Sequence, residues 1–92
     1  MPNAGPRLSA EVVGFVHKLR ALDLFKLPGV AETIDWAHAL SQLDVLALTP
    51  EAINDTLGVL LKYQDDIARL QGSEAMKLLD AVKAELAEQP LG

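Results

Sequence analysis

Apolar side chains recur every three or four residues along most of this chain, which is the spacing of helices that bury one face. Four segments show this spacing, and prolines, glycines and capping residues separate them. No stretch of useful length alternates apolar and polar residues, so strands are not expected. We therefore predict an all-α domain, a four-helix bundle-like arrangement with short connections.

Capping residues set the expected bounds of these helices. Ser9 is a good N-cap for the first helix, and Glu11 then lies in its first turn, where the helix dipole favours an acid. The first helix is expected to fade near Asp23. The expected ranges and their boundary signals are 9–23 after Ser9, 30–43 after Pro28-Gly29, 50–70 after Thr49-Pro50, and 73–88 between Gly72-Ser73 and Pro90.

Each predicted helix carries one apolar stripe for the core. Trp36 is interpreted as core, because one large ring supplies much apolar area to a small domain, and an anchor for a neighbouring domain is the alternative. Gly58 lies inside the third helix and suggests the close approach of another helix, with tolerated weakness as the alternative. The predicted stripes are Val12, Phe15, Val16, Leu19 and Leu22; Ile34, Ala37 and Leu40; Ile53, Leu57, Leu60, Leu61, Ile67 and Leu70; and Met76, Leu79, Val82 and Leu86.

Length and composition exclude several classes of protein. The 92 residues make one small domain with a formal charge of −5 and no cysteine. Disulfides and thiolate sites are therefore excluded, and the lack of a basic cluster argues against nucleic acid, because phosphate binding needs concentrated lysine and arginine. No apolar run reaches membrane-spanning length and no secretory signal is present, so we expect a cytoplasmic protein with no membrane partner.

Few residues form a pattern that supports catalysis. The chain has no Gly-x-x-x-x-Gly-Lys-Ser/Thr loop to hold a triphosphate, and no serine has a positioned histidine. Glu32, Asp35 and His38 are spaced by three, as on a metal-binding helix face, but dipole-favourable acids and an exposed histidine explain one such triplet better. Asp65-Asp66 is interpreted as a solvated face. We expect no catalytic residue, no metal site and no cofactor in this chain.

Residues 26–39 read Lys-Leu-Pro-Gly-Val-Ala-Glu-Thr-Ile-Asp-Trp-Ala-His-Ala, and residues 56–66 read Thr-Leu-Gly-Val-Leu-Leu-Lys-Tyr-Gln-Asp-Asp. Both stretches resemble the C-terminal helical lid of MoxR-type AAA+ ATPases. The Lys-x-Pro-Gly-x-x-Glu-Thr-x-Asp-Trp-Ala pattern in the first stretch is distinctive, and the similarity covers most of the chain. The resemblance implies a helical lid domain over residues 9–92, with residues 1–8 as a linker that leads into it.

The resemblance also implies what such a lid does. A lid closes over ATP and Mg²⁺ held by an AAA+ core domain, which these 92 residues do not contain. The whole protein is then expected to be an ATPase, although this chain alone is not. The family further implies a hexamer of neighbouring subunits, chaperone-like remodelling or cofactor assembly, and a von Willebrand factor A-domain partner. A free-standing helical interaction domain with no nucleotide role is the alternative.

The same family suggests which residues face the nucleotide or a neighbouring subunit. Common lids of this family present a sensor-2 arginine at the start of a helix that here reads Gly29 to Thr33, with Thr33 at the arginine position. Lys26 is the nearest basic residue, and Lys62 is a second candidate. We expect Lys26, Glu32 and Thr33 to lie together, exposed, at one end of the bundle.

Overall fold

Five helices and their connections make up the described part of the chain. The computed structural model describes residues 6–71 and 73–88, and over these residues it contains helices and no strand. The all-α prediction is confirmed, with one helix more than expected. None of the five is long and apolar enough to cross a lipid bilayer. In chain order they are α1 Pro6–Leu19, α2 Val30–Gln42, α3 Pro50–Leu60, α4 Gln64–Leu70 and α5 Ser73–Glu88.

The first helix starts earlier than its expected N-cap. α1 begins at Pro6 instead of after Ser9, and proline is tolerated there because the first N–H groups of a helix have no partner within it. The earlier start places Leu8 on the buried face, one turn before Val12. The prediction that Ser9 is the N-cap is therefore wrong, and residues 6–8, which were expected in the linker, belong to the helix.

Other boundaries follow the capping signals. Thr49 Oγ1 accepts a hydrogen bond from the Ala52 N–H at 3.1 Å, with proline in the first helical position of α3. α2 and α5 begin at the expected residues, and α2 is followed by Asp44 in a left-handed backbone with φ 58°. The expected irregular lead-in at 1–5 and the signals at Gly72 and Pro90 lie outside the described residues.

The predicted third helix, 50–70, is two helices in the structure. α3 and α4 are separated by residues 61–63, whose backbone is extended at both ends of this connection. The break allows both Leu61 and Leu70 to be buried, and it also turns Asp66 of α4 inward. Periodicity does not reveal the break, because the apolar spacing is helical on either side of it.

The core lies between two packed helix pairs. α2 packs mainly on α3, and α1 packs mainly on α5. Phe15 of α1 and Trp36 of α2 meet in the core with ring centroids 5.3 Å apart, and both are fully buried, which confirms the core interpretation of Trp36. The buried apolar side chains are Leu8, Val12, Phe15, Val16, Leu19, Trp36, Ala37, Leu40, Leu48, Ala52, Ile53, Leu57, Leu60, Leu61, Leu70, Ala75, Leu79 and Val82.

Three predictions are wrong, two about residues in the apolar stripes and one about a glycine. Ile34 and Met76 are 44% and 49% exposed, because neighbouring positions of α2 and α5 set the buried faces of those helices. Among the described residues, a Cβ added to Gly58 would meet nothing within 4 Å, so none of the five helices approaches it closely. The close approach is instead at Gly14 of α1, where an added Cβ would lie 3.1 Å from Cγ1 of Val82 in α5.

Candidate functional site

The segment that leads into α2 is held by side chains of α4. Asp66 is only 2% exposed, and its two carboxylate oxygens accept the N–H groups of Phe25 at 2.9 Å and Lys26 at 3.2 Å. From the same helix, Nη1 of Arg69 donates to the carbonyl oxygen of Asp23 at 2.7 Å. Three hydrogen bonds from one short helix therefore fix the backbone of residues 23–26.

A second set of contacts fixes the first turn of α2 around Gly29. Oε1 of Glu32 accepts the Gly29 N–H at 3.1 Å, and Oγ1 of Thr33 donates to the Gly29 carbonyl oxygen at 2.8 Å. Glycine has no side chain to return a bond to the helix, so this is one half of a capping box. Glu32 and Thr33 are half-buried rather than exposed, and both side chains bond Gly29.

Lys26 and Lys62 are the two candidate residues with exposed, charged side chains. Neither is paired with a carboxylate among residues 6–71 and 73–88. Their chain neighbours, Phe25 and Tyr63, touch edge-on with ring centroids 6.0 Å apart and ring planes at 70°. This contact brings the segments that carry both lysines to one edge of the molecule, beside the entry to α2.

Residues 26–39 and residues 56–66 also meet in the core. Nε1 of Trp36 donates to Oγ1 of Thr56 at 2.6 Å, and this hydroxyl donates in turn to the carbonyl oxygen of Ala52 at 2.7 Å. The indole N–H is therefore satisfied although it is buried. Together with the bond from the Lys26 N–H to Asp66, this contact joins residues 26–39 to residues 56–66 at two separate points.

Glu11 is a buried carboxylate with a structural role. Its Oε1 accepts the Leu48 N–H at 2.7 Å, while its Oε2 contacts Nζ of Lys83 at 3.1 Å and Nε of Arg7 at 3.4 Å. Paired and hydrogen-bonded in this way, the buried charge is compensated. Because α1 begins at Pro6, Glu11 does not lie in the first helical turn, as was expected from its position after Ser9.

The triplet Glu32, Asp35 and His38 does not form a ligand set. The Glu32 carboxylate is bound to Gly29, and the side chains of Asp35 and His38 are exposed. In the described ranges, no three His, Cys, Asp or Glu side chains are placed to hold a metal ion together. The structure thus gives the metal interpretation no support.

Two open grooves flank the outer face of α1. One, with a volume of about 500 Å³, lies between α1 and α5, and the other, of about 340 Å³, lies between α1 and α2. Val13 and His17 line both grooves, and the second is also lined by Thr33 and Arg20. Arg20 is therefore a basic side chain that shares a groove with Thr33.

Sequence reasoning missed Asp66 and Arg20 for the same reason. The Asp66 carboxylate looks like a solvated acid beside Asp65, because its backbone partners lie 41 and 40 positions away in the chain. Arg20 reaches the groove of Thr33 only because α1 packs against α2. A local pattern contains no signal for either contact.

No protein-family model, no curated protein and no solved structure matches this chain. Its function therefore has to be inferred from its own residues and their contacts. The most specific of these contacts are the two that join residues 26–39 to residues 56–66, from Trp36 to Thr56 and from Lys26 to Asp66.

Proposed function

We propose that this chain is the C-terminal lid of a MoxR-type AAA+ ATPase. It would close over ATP and Mg²⁺ bound by a core domain outside these 92 residues and relay the nucleotide state to the next subunit of a hexameric ring. The whole protein would then be a cytoplasmic ATPase that remodels other proteins or assembles their cofactors with a von Willebrand factor A-domain partner. The lid alone would hydrolyse nothing.

The support for this proposal is the contact between the two stretches that resemble such a lid. Trp36 bonds Thr56 at 2.6 Å, and the Lys26 N–H bonds Asp66 at 3.2 Å. A chance match of two short motifs has no reason to place the matching residues in mutual contact. If the pattern describes one structural unit, its residues are instead expected to bond each other within the fold.

The edge formed by this unit carries two lysines that can contact a phosphate group. The ammonium groups of Lys26 and Lys62 are exposed there, on a protein whose net charge is −5. Thr33, at the arginine position, has no charge, and its hydroxyl is bound to Gly29. In this proposal the cation comes from Lys26 or Lys62, or from Arg20 across the groove between α1 and α2.

ATP hydrolysis by the full-length protein tests these residues. We expect Lys26→Ala to lower kcat at least about tenfold, a loss of about 1.4 kcal/mol that one phosphate contact can supply. Lys62→Ala and Arg20→Ala are expected to have smaller effects. Lys77→Ala is the matched control, because Lys77 is an exposed lysine on α5 that lines neither groove. Wild-type kcat in all three test variants would remove the nucleotide-facing edge from the proposal.

The isolated chain and its genomic context give two further readouts. We expect no ATPase activity from the chain, and amide NMR shifts on adding ATP that are weak and confined to residues 20–33 and 61–63. The neighbouring reading frame should encode a nucleotide-binding core with a phosphate loop. A frame without such a core would overturn the lid assignment whatever the lysine variants do.

A free-standing interaction domain is the second candidate, and the exposed aromatic rings favour it. Phe25 is 72% exposed and Tyr63 is 51% exposed, although the chain has only two phenylalanines, one tyrosine and one tryptophan. Exposed aromatic rings are enriched where proteins bind each other. This candidate predicts no ATP-dependent NMR shift and no adjoining nucleotide-binding core, so the same experiments separate it from the lid.

A further inference from the structure

Phe25 and Tyr63 form an aromatic pair that the fold holds at the surface. The Phe25 N–H is bound to the buried Asp66, and the carbonyl oxygen of Tyr63 accepts the Ile67 N–H at 3.1 Å at the start of α4. Both rings therefore project from a backbone fixed by hydrogen bonds. Each ring has only two side-chain torsions and contacts the other ring, so the pair loses little side-chain entropy when a partner binds, which makes the rings suitable anchors for a protein contact.

The two rings line an open hollow together with Gln64 and Asp65 from the first turn of α4. Asp65 is exposed, and in the described part of the chain it makes no ion pair. The hollow thus offers aromatic faces, an amide and a carboxylate, and its lining carries no positive charge. A planar cation with several N–H donors matches this set, because it can stack on a ring and bond a carboxylate at the same time.

We propose that this hollow binds an arginine side chain of a partner protein. The guanidinium group stacks on the face of Phe25 or Tyr63, and its N–H groups donate to the Asp65 carboxylate. An acidic side chain would instead meet the like charge of Asp65. This role is independent of nucleotide, and it holds whether the chain is a lid or a free-standing domain.

Two lysines near the hollow oppose the cation. Lys26 and Lys62 follow and precede the ring residues in the chain, and neither lines the hollow. Their long, flexible stems let the ammonium groups point into water, so they weaken the binding of arginine without blocking it. Their removal is therefore expected to strengthen arginine binding and to weaken the binding of an anion, so the direction of the change distinguishes the two ligands.

Short random peptides displayed on phage test the proposal with the 92-residue chain as bait. The pool is first depleted on the Phe25→Ser, Tyr63→Ser double variant, so that only binders that need the rings remain. We expect the enriched peptides to share one arginine. Replacing that arginine by citrulline, which has nearly the same shape and no charge, should weaken binding at least about tenfold, as expected for an interface anchor.

Single variants then assign the contacts. Phe25→Leu keeps apolar bulk without a ring, and Asp65→Asn removes only the charge. Each should lower the affinity for the peptide by about threefold to tenfold. Lys26→Ala should tighten it slightly. Leu46→Ala is the control, because Leu46 is 84% exposed and does not line the hollow. Unchanged melting temperatures show that each variant is folded.

The proposal is overturned if the enriched peptides share no arginine, if the citrulline peptide binds equally well, if Phe25→Leu binds the peptide fully, or if no peptide prefers the wild-type chain to the double variant. Enriched acidic peptides whose binding falls with Lys26→Ala would assign this edge to an anion and would equally overturn an arginine site.

Discussion

The aromatic residues of this chain form two pairs, one in the core and one on the surface. Phe15 and Trp36 are buried between α1 and α2, and the Trp36 indole is also bonded to Thr56. Phe25 and Tyr63 touch at a similar ring separation but remain exposed, and the polar side chain of Asp66 positions the backbone that carries Phe25. The first pair is held by packing and the second by hydrogen bonds beneath it.

This difference separates stability from recognition. Removing apolar area from water stabilises a fold by about 25 cal/mol per Å², so the buried rings contribute directly to folding. The exposed rings gain little in this way, and their position depends on groups that contact only the backbone. Changes to the buried pair should therefore lower the free energy of unfolding, whereas changes to the exposed pair should lower only the affinity for a partner.

Trp36→Ala is expected to have the largest effect. Truncating a buried aromatic side chain leaves a cavity and should reduce the free energy of unfolding by about 3–5 kcal/mol, a large part of the stability of a small domain. Urea unfolding followed by circular dichroism measures this, because the variant has lost the only tryptophan fluorophore. A loss below about 1 kcal/mol would show that the core does not depend on this ring.

Asp66→Ala should be the next most severe change, because it leaves the N–H groups of Phe25 and Lys26 without their carboxylate. We expect a loss of about 1–3 kcal/mol, and less for Asp66→Asn, which keeps one acceptor oxygen. Amide hydrogen exchange at Phe25 and Lys26 should become faster. Asp65→Ala is the matched control and should stay within about 0.5 kcal/mol of wild type. Equal effects of the two aspartates would contradict the assigned contacts.

Thr56→Val tests the polar part of the buried pair. Valine keeps the shape and removes the acceptor of the Trp36 N–H, so we expect a loss of about 1–2 kcal/mol in urea unfolding. Thr56→Ser keeps the hydroxyl group and serves as the control. If valine were as stable as threonine, the hydrogen bond between α2 and α3 would contribute nothing measurable.

Phe25→Ala and Tyr63→Ala should have the smallest effect on folding. Because both side chains are exposed, each variant should stay within about 0.5 kcal/mol of wild type in thermal unfolding. The same two variants are expected to lose binding of the arginine peptide. A large loss of stability would mean that the surface pair supports the fold as the buried pair does, and the contrast between them would disappear.

Local signals predicted most of the fold. α3 begins where its capping residue Thr49 indicates, because a cap acts on N–H groups within one turn, and α2 and α5 also begin at the expected residues. The apolar stripes identified most of the core, including Phe15, since one helical face repeats over short distances. The prediction that Ile34 is buried is wrong because packing against the neighbouring helix, rather than spacing, decides which side of an apolar stripe is buried.

The candidate site was less predictable, because its contacts are long-range. Lys26, Glu32 and Thr33 were identified from their resemblance to a lid, but the roles of Glu32 and Thr33 in fixing Gly29 became visible only in the structure. Asp66 bonds residues 40 and 41 positions away, and the turn that allows it, between α3 and α4, has no marker in the apolar spacing. A buried carboxylate with distant partners has the same local sequence as a solvated one.

The contact between α1 and α5 also determines when the domain can close during its synthesis. Glu11 pairs with the ammonium group of Lys83, 72 residues later in the chain, and Gly14 lies against the side chain of Val82. Neither contact can form until α5 has been synthesised. While the ribosome still holds the last helix, the face of α1 that α5 covers stays open to water. We expect nascent chains stalled before Ser73 to be cut rapidly by protease and chains released after Glu88 to resist it, because α1 lacks its α5 contacts in the first case.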